Sequence, residues 1–530
     1  MNLRNLPRGF TPLSPSTPGA KRRSLAALAG LAVLCSALAT DALAINPGDA
    51  DAAFNAFNSA YLINSGGKTY YTHSISNRSN DGTWTETLSI QGAEDHYERV
   101  GTATAQTLVQ NLCSTFLTLN PAPWSYDGWN DNIGWNSLVL IRGYQMTGVS
   151  SFLTAAESGF NFAYNRGWDT QYNGGGIWEE QPSDGESNPH KEALSNDSLC
   201  LVALMIYQST GDTAYLNKAT TIYNWVHQNI FNPSTGQVYT GINTDGTLNT
   251  GKALYNQGTF IDLAALFFKL TRNTSYLTDA QNAVAFSQNN LMVNGICSNG
   301  ATYLNTWAAE FARGLGHLVR WNPDLLDTYY TFMVNNANAA WGCRRTDYNV
   351  CWNKWTAATP TNVDILANWD VNTIAMLEFT PPLKPLYFQT NNLTVASITS
   401  GITHRVLTDS GFAGGAGTIL DATAVGNYVT YLVPSIPAGT YDVRVGTKNF
   451  PSRGLWQLAV GRADNFSGTS SNVASPQDEY SSSADFSEFD LGNWKPATTS
   501  DKWFRFMITG KNTSSSGYSE AFNYIQLIPQ

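Results

Sequence analysis

The sequence predicts a multidomain protein, an all-α toroid followed by an all-β sandwich, and three observations carry that reading. The first is length, since 530 residues exceed the roughly 100–200 that one compact domain needs. The second is a change of texture at Thr380-Pro381-Pro382-Leu383-Lys384-Pro385. Helical periodicity dominates before it; after it come short alternating runs such as Tyr428-Val429-Thr430-Tyr431-Leu432-Val433 and Trp503-Phe504-Arg505-Phe506, broken by Gly, Ser and Asn. The third is a repeat. Tyr144-Gln145-Met146-Thr147-Gly148 leads to Phe152-Leu153, Tyr207-Gln208-Ser209-Thr210-Gly211 to Tyr215-Leu216, and Phe268-Lys269-Leu270-Thr271-Arg272 to Tyr276-Leu277, at spacings of 63 and 61 residues. Each spacing fits a helical hairpin with its loops. The Gly or Arg ends one helix and the aromatic-Leu pair begins the apolar face of the next, so inner helices alternate with outer ones.

In chain order, residues 1–44 read as a signal peptide. Lys21-Arg22-Arg23 precedes an apolar run from Leu25 to Ala39, and Ala42-Leu43-Ala44 is a small-x-small cleavage site. The run is too short to span a bilayer and no later segment is apolar enough, so an exported protein at the cell surface, in the periplasm or outside the cell is expected. The helical domain occupies residues 46–381, a Pro-containing linker 382–386 and the β domain 387–530.

Only 13% of the chain is charged, against about 25% on average, while 12% is aromatic and the formal net charge is −10. Disorder is excluded, and so is binding to nucleic acid or anionic membrane through a basic face. Aromatics on a weakly charged acidic surface suit a neutral ligand, and sugars stack their C–H faces on such rings. Of the cysteines beyond the leader, Cys343 and Cys351 form the most plausible disulfide, with Cys113 and Cys200 as buried thiols and Cys297 the remaining one. The six histidines are scattered and no zinc spacing occurs, so no metal or other cofactor is expected.

The repeat also sets a register. Counting back 12 residues from each leading aromatic gives Asn132, Ser195 and Asn256, so that Asp131-Asn132, Ser195-Asn196 and Asn256-Gln257 open equivalent helices at one end of the toroid. Helix capping is their expected role, and a sugar-binding floor is the alternative.

Four stretches go beyond a generic toroid: Trp129-Asn130-Asp131-Asn132-Ile133-Gly134-Trp135, Gly174-Gly175-Gly176-Ile177-Trp178, Lys191-Glu192-Ala193-Leu194-Ser195-Asn196 and Tyr255-Asn256-Gln257-Gly258-Thr259-Phe260-Ile261. In order and spacing they resemble glycoside hydrolase family 76, the endo-α-1,6-mannanases. The resemblance implies an (α/α)6 toroid, a polysaccharide substrate and a retaining mechanism with two consecutive Asp residues, the first nucleophile and the second acid/base. Without gaps, Asp131 takes the first place and Asn132 the second; a slip of one residue would put Asn130 and Asp131 there instead. Either way one carboxylate is missing, and an amide does not release a proton near neutral pH. Glu192 stands at a motif position usually held by Asn. Glu192 and Glu180 are the preferred substitutes, ahead of Glu179 and of Glu310. Trp135, Trp178 and Tyr255 are candidates for sugar stacking, and Asn196, Asn256 and Gln257 for substrate contacts. The alternative is a non-catalytic glycan-binding protein in which Asn132 marks lost hydrolysis.

The C-terminal domain resembles carbohydrate-binding module families 6 and 35, in Gly426-Asn427-Tyr428-Val429-Thr430-Tyr431 and the closing Phe522-Asn523-Tyr524-Ile525-Gln526-Leu527. The resemblance implies a jelly-roll-like sandwich. The places that hold calcium in those families read Phe388-Gln389-Thr390-Asn391 and Asn523, which makes a calcium site doubtful. Trp456, Trp494 and Trp503 are candidate ligand platforms.

Overall fold

The computed structural model describes residues 45–180, 190–297, 307–464, 466 and 471–530, so the expected signal peptide lies outside the described residues. Twelve long helices are found among them: α1 Asp49–Tyr61, α2 Trp84–Val100, α3 Ala103–Leu119, α4 Asn130–Thr147, α5 Ser150–Gly167, α6 Ala193–Thr210, α7 Thr213–Asn229, α8 Leu254–Thr271, α9 Thr274–Asn290, α10 Ala308–Trp321, α11 Leu326–Gly342 and α12 Ala367–Glu378. The even-numbered helices pack each against the next, and α12 returns to α2, closing the circuit. The odd-numbered helices pack outside, α1, α3 and α5 each against two even-numbered neighbours, and α7, α9 and α11 against α6, α8 and α12.

Composition decides which helix goes where. α8 buries every residue from Leu254 to Phe268, as a helix covered on all sides must. α7 buries a single stripe of Tyr215, Ala219, Ile222, Tyr223, Trp225 and Val226, the spacing of a helix with one face toward a core. The three repeated turns end α4, α6 and α8 as read from sequence. Gly148, Gly211 and Arg272 are all left-handed, at φ 72°, 73° and 57°, and their N–H groups bond the carbonyls of Tyr144, Tyr207 and Phe268. Gly101 closes α2 in the same way on Tyr97.

Neighbouring even-numbered helices run side by side with their first turns level. A Cβ on Gly134 of α4 would meet Ser198 Oγ of α6 at 2.4 Å, one on Gly258 of α8 would meet the backbone N of Phe311 in α10 at 2.3 Å, and Ala309 N of α10 donates to Asn372 Oδ1 of α12 at 2.8 Å. The first turns of these helices thus surround one mouth, where loops and short hairpins gather.

The C-terminal region is β-rich: β1 Leu386–Gln389, β2 Thr394–Ile398, β3 His404–Thr408, β4 Ala416–Leu420, β5 Tyr428–Ile436, β6 Tyr441–Asn449, β7 Leu455–Gly461, β8 Ser471–Asp478, β9 Asp485–Trp494, β10 Ser500–Gly510 and β11 Glu520–Pro529. One sheet runs β3-β4-β11-β6-β9, with β1 also on β11, and the other runs β8-β7-β10-β5-β2, all antiparallel. A core of Val429, Tyr431, Val445, Trp456, Phe506 and Phe522 draws on both sheets. Trp456 is fully buried edge-on to Phe522, so it packs the core and is no ligand platform.

Two further expectations are settled here. Asn523 Nδ2 donates to the carbonyls of Ala413 and Ala416 (3.0 and 2.8 Å), and Gln389 Nε2 to the same two (3.2 and 2.9 Å). Amide donors aimed at carbonyl oxygens do the work of a cation, so these residues do not fit calcium. The expected disulfide is absent: Cys343 and Cys351 are free buried thiols that both donate to Ala340 O (3.2 and 3.0 Å).

Candidate active site

The mouth is organised by the loop that enters α4. Arg166 of α5 donates to Asn130 Oδ1 (2.9 and 2.7 Å) and to the carbonyls of Asp127 and Gly128 (2.8 and 3.1 Å). Asn130 in turn donates through Nδ2 to Trp178 O (2.7 Å) and through its backbone N–H to Glu179 O (2.6 Å). Its amide is fully committed to joining two loops, which favours the gapless register with Asp131 at the reactive place. Asp131 is 7% exposed and its Oδ1 is buried with no hydrogen-bond partner among the described residues. Burial, and next the charge of Glu179, hold its carboxyl well above the usual carboxylate range. Asn132 points elsewhere, donating to both oxygens of Asp127 (3.3 and 3.2 Å).

The facing wall is the glycine-rich turn. Gly176 has φ 95°, and a Cβ there would meet the Trp225 ring at 2.6 Å, so only glycine allows this approach. Buried Lys191 fixes the turn, its Nζ bonding Asp169 Oδ1, Gln171 O and Gly175 O at 2.6 Å each. The chain then extends through Trp178 and Glu179, whose N–H donates to His190 O (2.9 Å), beside the short strand His190–Glu192. Alternation along this strand puts His190 and Glu192 on one face. His190 Nε2 bonds Glu179 Oε2 at 2.8 Å and lies 3.6 Å from Glu192 Oε2, while Tyr255 OH donates to Glu192 Oε1 at 3.4 Å. Burial pushes Glu179 up to about 7, with His190 pulling it down and Glu192 pushing it up. Burial raises the Tyr255 phenol well above its usual range, with Glu192, Glu179 and Asp131 adding to the rise.

The structure therefore gathers Asp131, Glu179, Glu192, His190 and Tyr255, and among the described residues no Lys or Arg pairs with any of these three carboxylates. Glu180 is outside the group; its backbone bridges Trp129, and neighbours on an extended segment face opposite ways. Glu310 is also outside, paired with Arg313 Nη1 at 2.8 Å. Glu179, His190 and Glu192 bring three ligating atoms within 4.8 Å of one another, a geometry that a cation or shared protons could occupy.

Several expected substrate contacts are structural instead. Trp135 is fully buried, edge-on to Trp307 at 6.2 Å, and Trp178 is 2% exposed with its Nε1 on Asp169 Oδ2 (2.6 Å). Asn196 clamps the turn through Ile177 N, Ile177 O and Glu192 O (2.8, 3.0 and 2.7 Å). Gln257 does the same for the next hairpin through Val238 N, Gly236 O and Ala283 O. Asn256 is fully buried with neither side-chain atom bonded among the described residues. Capping is corrected too: α4, α6 and α8 carry no side-chain cap, and the repeated polar residues lie inside the first turn. Sequence reasoning missed His190, whose signal was the His-x-Glu alternation before α6. Tyr126 and Trp129 on the loop into α4 are 63% and 36% exposed.

A carboxyl group that holds a proton and an ionised carboxylate near it can protonate a leaving oxygen and attack an electrophilic carbon.

The model of Glycosyl hydrolase family 76 matches residues 51–381. The chain is 27% identical over 207 residues to the mannan endo-1,6-alpha-mannosidase DCW1 of Candida glabrata, covering 36% of this chain and 45% of that one. It is 26% identical over 230 residues to the mannan endo-1,6-alpha-mannosidase DFG5 of Saccharomyces cerevisiae, covering 40% and 50%. The chain thus spans about half the length of these curated relatives. Among solved structures, the GH76A alpha-1,6-mannanase of Salegentibacter sp. HEL1_6 superimposes with a TM-score of 0.56 at 22% identity, over 62% of this chain and 97% of that one, a likeness of fold.

Proposed function

Because the chain belongs to glycosyl hydrolase family 76, we propose that it is an exported glycosidase that cleaves internal links of α-1,6-mannan, or a closely related α-linked polysaccharide, with retention. The observation that carries this reading is the buried carboxyl group of Asp131, whose Oδ1 has no hydrogen-bond partner among the described residues and whose strongest charged neighbour is the acidic Glu179. Asp131 is the nucleophile, and the acid comes from the acidic group on the facing wall in place of Asn132. The names of the yeast relatives supply the substrate. The closed circuit of helices is read as an (α/α)6 toroid over residues 46–381, and residues 387–530 as a jelly-roll-like module that adds a second hold on the glycan.

The test is release of reducing ends from linear α-1,6-mannan by residues 45–530, by Asp131→Ala and by Asn132→Asp. Wild-type activity is expected to fall at least about a thousandfold in Asp131→Ala. A silent wild type with activity gained in Asn132→Asp would sink the hydrolase reading and leave a glycan-binding protein.

A further inference from the structure

We propose that Glu179 is the acid/base that replaces the carboxyl lost at Asn132, and that His190 is a positioning residue that holds it; this rests on the glycosidase reading above. Three carboxylates other than Asp131 are near enough to compete, and their bonds separate them. Asp127 accepts Asn132 Nδ2 on both oxygens and Trp129 N on Oδ1 (2.9 Å), so neither oxygen is left to present a proton. Glu192 has Tyr255 on one oxygen and His190 on the side of the other. Glu179 is 9% exposed, is held through one oxygen by His190, and is the neighbour whose charge acts most on Asp131. Its backbone is locked to the start of α4 through Asn130 N, so nucleophile and acid sit on two walls joined by a direct bond. Glu179, pushed up to about 7, also raises Asp131, so near neutrality the two carboxyls hold a proton between them; the active form has that proton on Glu179, as a general acid must, and leaves Asp131 ionised to attack.

The first step forms a bond from Asp131 to the anomeric carbon and breaks the bond from that carbon to the bridging oxygen, which takes the Glu179 proton. In the second, water attacks the same carbon, Glu179 takes its proton and the Asp131 ester bond breaks. Nothing beyond water is consumed.

The test compares linear α-1,6-mannan with a 2,4-dinitrophenyl α-1,6-mannobioside, whose leaving group needs no proton. Glu179→Ala is expected to lose about 100-fold or more on mannan, to keep the dinitrophenol burst, and to form an α-mannosyl azide when azide is added. Asp131→Ala loses both substrates; if it keeps the dinitrophenyl glycoside, the nucleophile assignment fails and the wider reading with it. His190→Ala is expected to lower kcat with KM little changed and to move the basic limb of the pH profile upward, since His190 holds Glu179 down. Among the described residues the other titratable groups acting with Glu179 are Asp131, Glu192 and Tyr255, and Glu192→Gln should move that limb the opposite way. Circular dichroism confirms folding, and mannan binding by calorimetry replaces activity as the readout for any variant that does not turn over. Unchanged mannan activity in Glu179→Ala, the split appearing in Asp127→Ala instead, or activity abolished by EDTA would each overturn the proposal.

Discussion

Helix α4 carries Asp131 in its first turn and Arg142 three turns further on, about 16 Å along the axis, and the two ends sit in opposite electrical worlds. Deep among the even-numbered helices, Arg142 bonds Asp95 at 2.7 Å and approaches Glu94 at 3.3 Å. Arg313 bonds Asp95 at 2.7 Å and Glu310 at 2.8 Å, and His317 bridges Asp262 and Glu98 at 2.7 and 3.1 Å. Burial raises Asp95, but Arg313 and Arg142 more than offset it and leave the carboxyl below its usual range. At the mouth, Glu86, Asp131 and Asp370 are buried with no guanidinium bonded to them among the described residues, while Glu310 in the first turn of α10 is tied back to the belt by Arg313. Burial pushes Glu86 and Asp370 up to about 8 each, although Asn80 bonds the first and Cys351 N the second. Equal burial with different partners yields a closed ionic belt at one level and proton-holding acids at the other. Glu94 marks the limit of the belt: beside Arg142, yet with neither oxygen hydrogen-bonded among the described residues, it too rises to about 8.

The largest effect expected from this contrast is in the belt. Arg313→Met leaves Asp95 buried with half its compensation and should cost about 3–5 kcal/mol in urea unfolding. A cost under about 1 kcal/mol would mean the belt is relaxed by water and the contrast is false. The next effect is in pH. Because Asp370 is raised when folded, its contribution to stability is present below pH 3.8 and is lost as pH rises to about 8; the lowered Asp95 acts in the opposite sense, its contribution lost as pH falls below the usual carboxylate range. Asp370→Asn should therefore flatten the decline between about pH 4 and 8, by at most about 1.4 kcal/mol per pH unit, and leave the loss below the usual carboxylate range alone. The smallest effect sharpens the functional side: Asp131→Asn should raise stability at pH 8 by about 1 kcal/mol while abolishing turnover, as expected where a buried charge is kept for chemistry. A destabilised variant would assign Asp131 to structure.

What was legible in the sequence was what local chemistry specifies. The helical repeat could be read because a left-handed turn after an aromatic leaves a Gly or Arg mark, and Asp131 because it sits at a countable distance from that mark. Glu179 could not be separated from Glu180 by any local rule; the choice depends on which side of an extended segment faces α4, and that is set by pairing with His190 and Asn130, far along the chain. Ser195, Asn196 and Gln257 look like caps in the sequence because a cap and a clamp use the same side chains, and only the position of the loop they hold tells them apart. Trp135, four residues from Asp131, shares its helix face, but a face in a closed circuit of helices is as often interior as exposed, and Trp178 packs under the glycine-rich turn.

Arg272 stands where the two sister turns have glycine, and it accepts the same left-handed backbone, a conformation that costs a residue with a side chain roughly 1 kcal/mol. Its guanidinium reaches out of the helices to donate to Phe486 O at 3.1 Å and lies 5.2 Å from the centre of the Phe486 ring, in the β-rich region. The strain is thus held by one half of the chain and the recompense by the other. Heat that melts the sheets leaves the third helical turn with its strain and without both contacts to Phe486, so the two halves share part of one melting equilibrium, and the stability of neither is its own property.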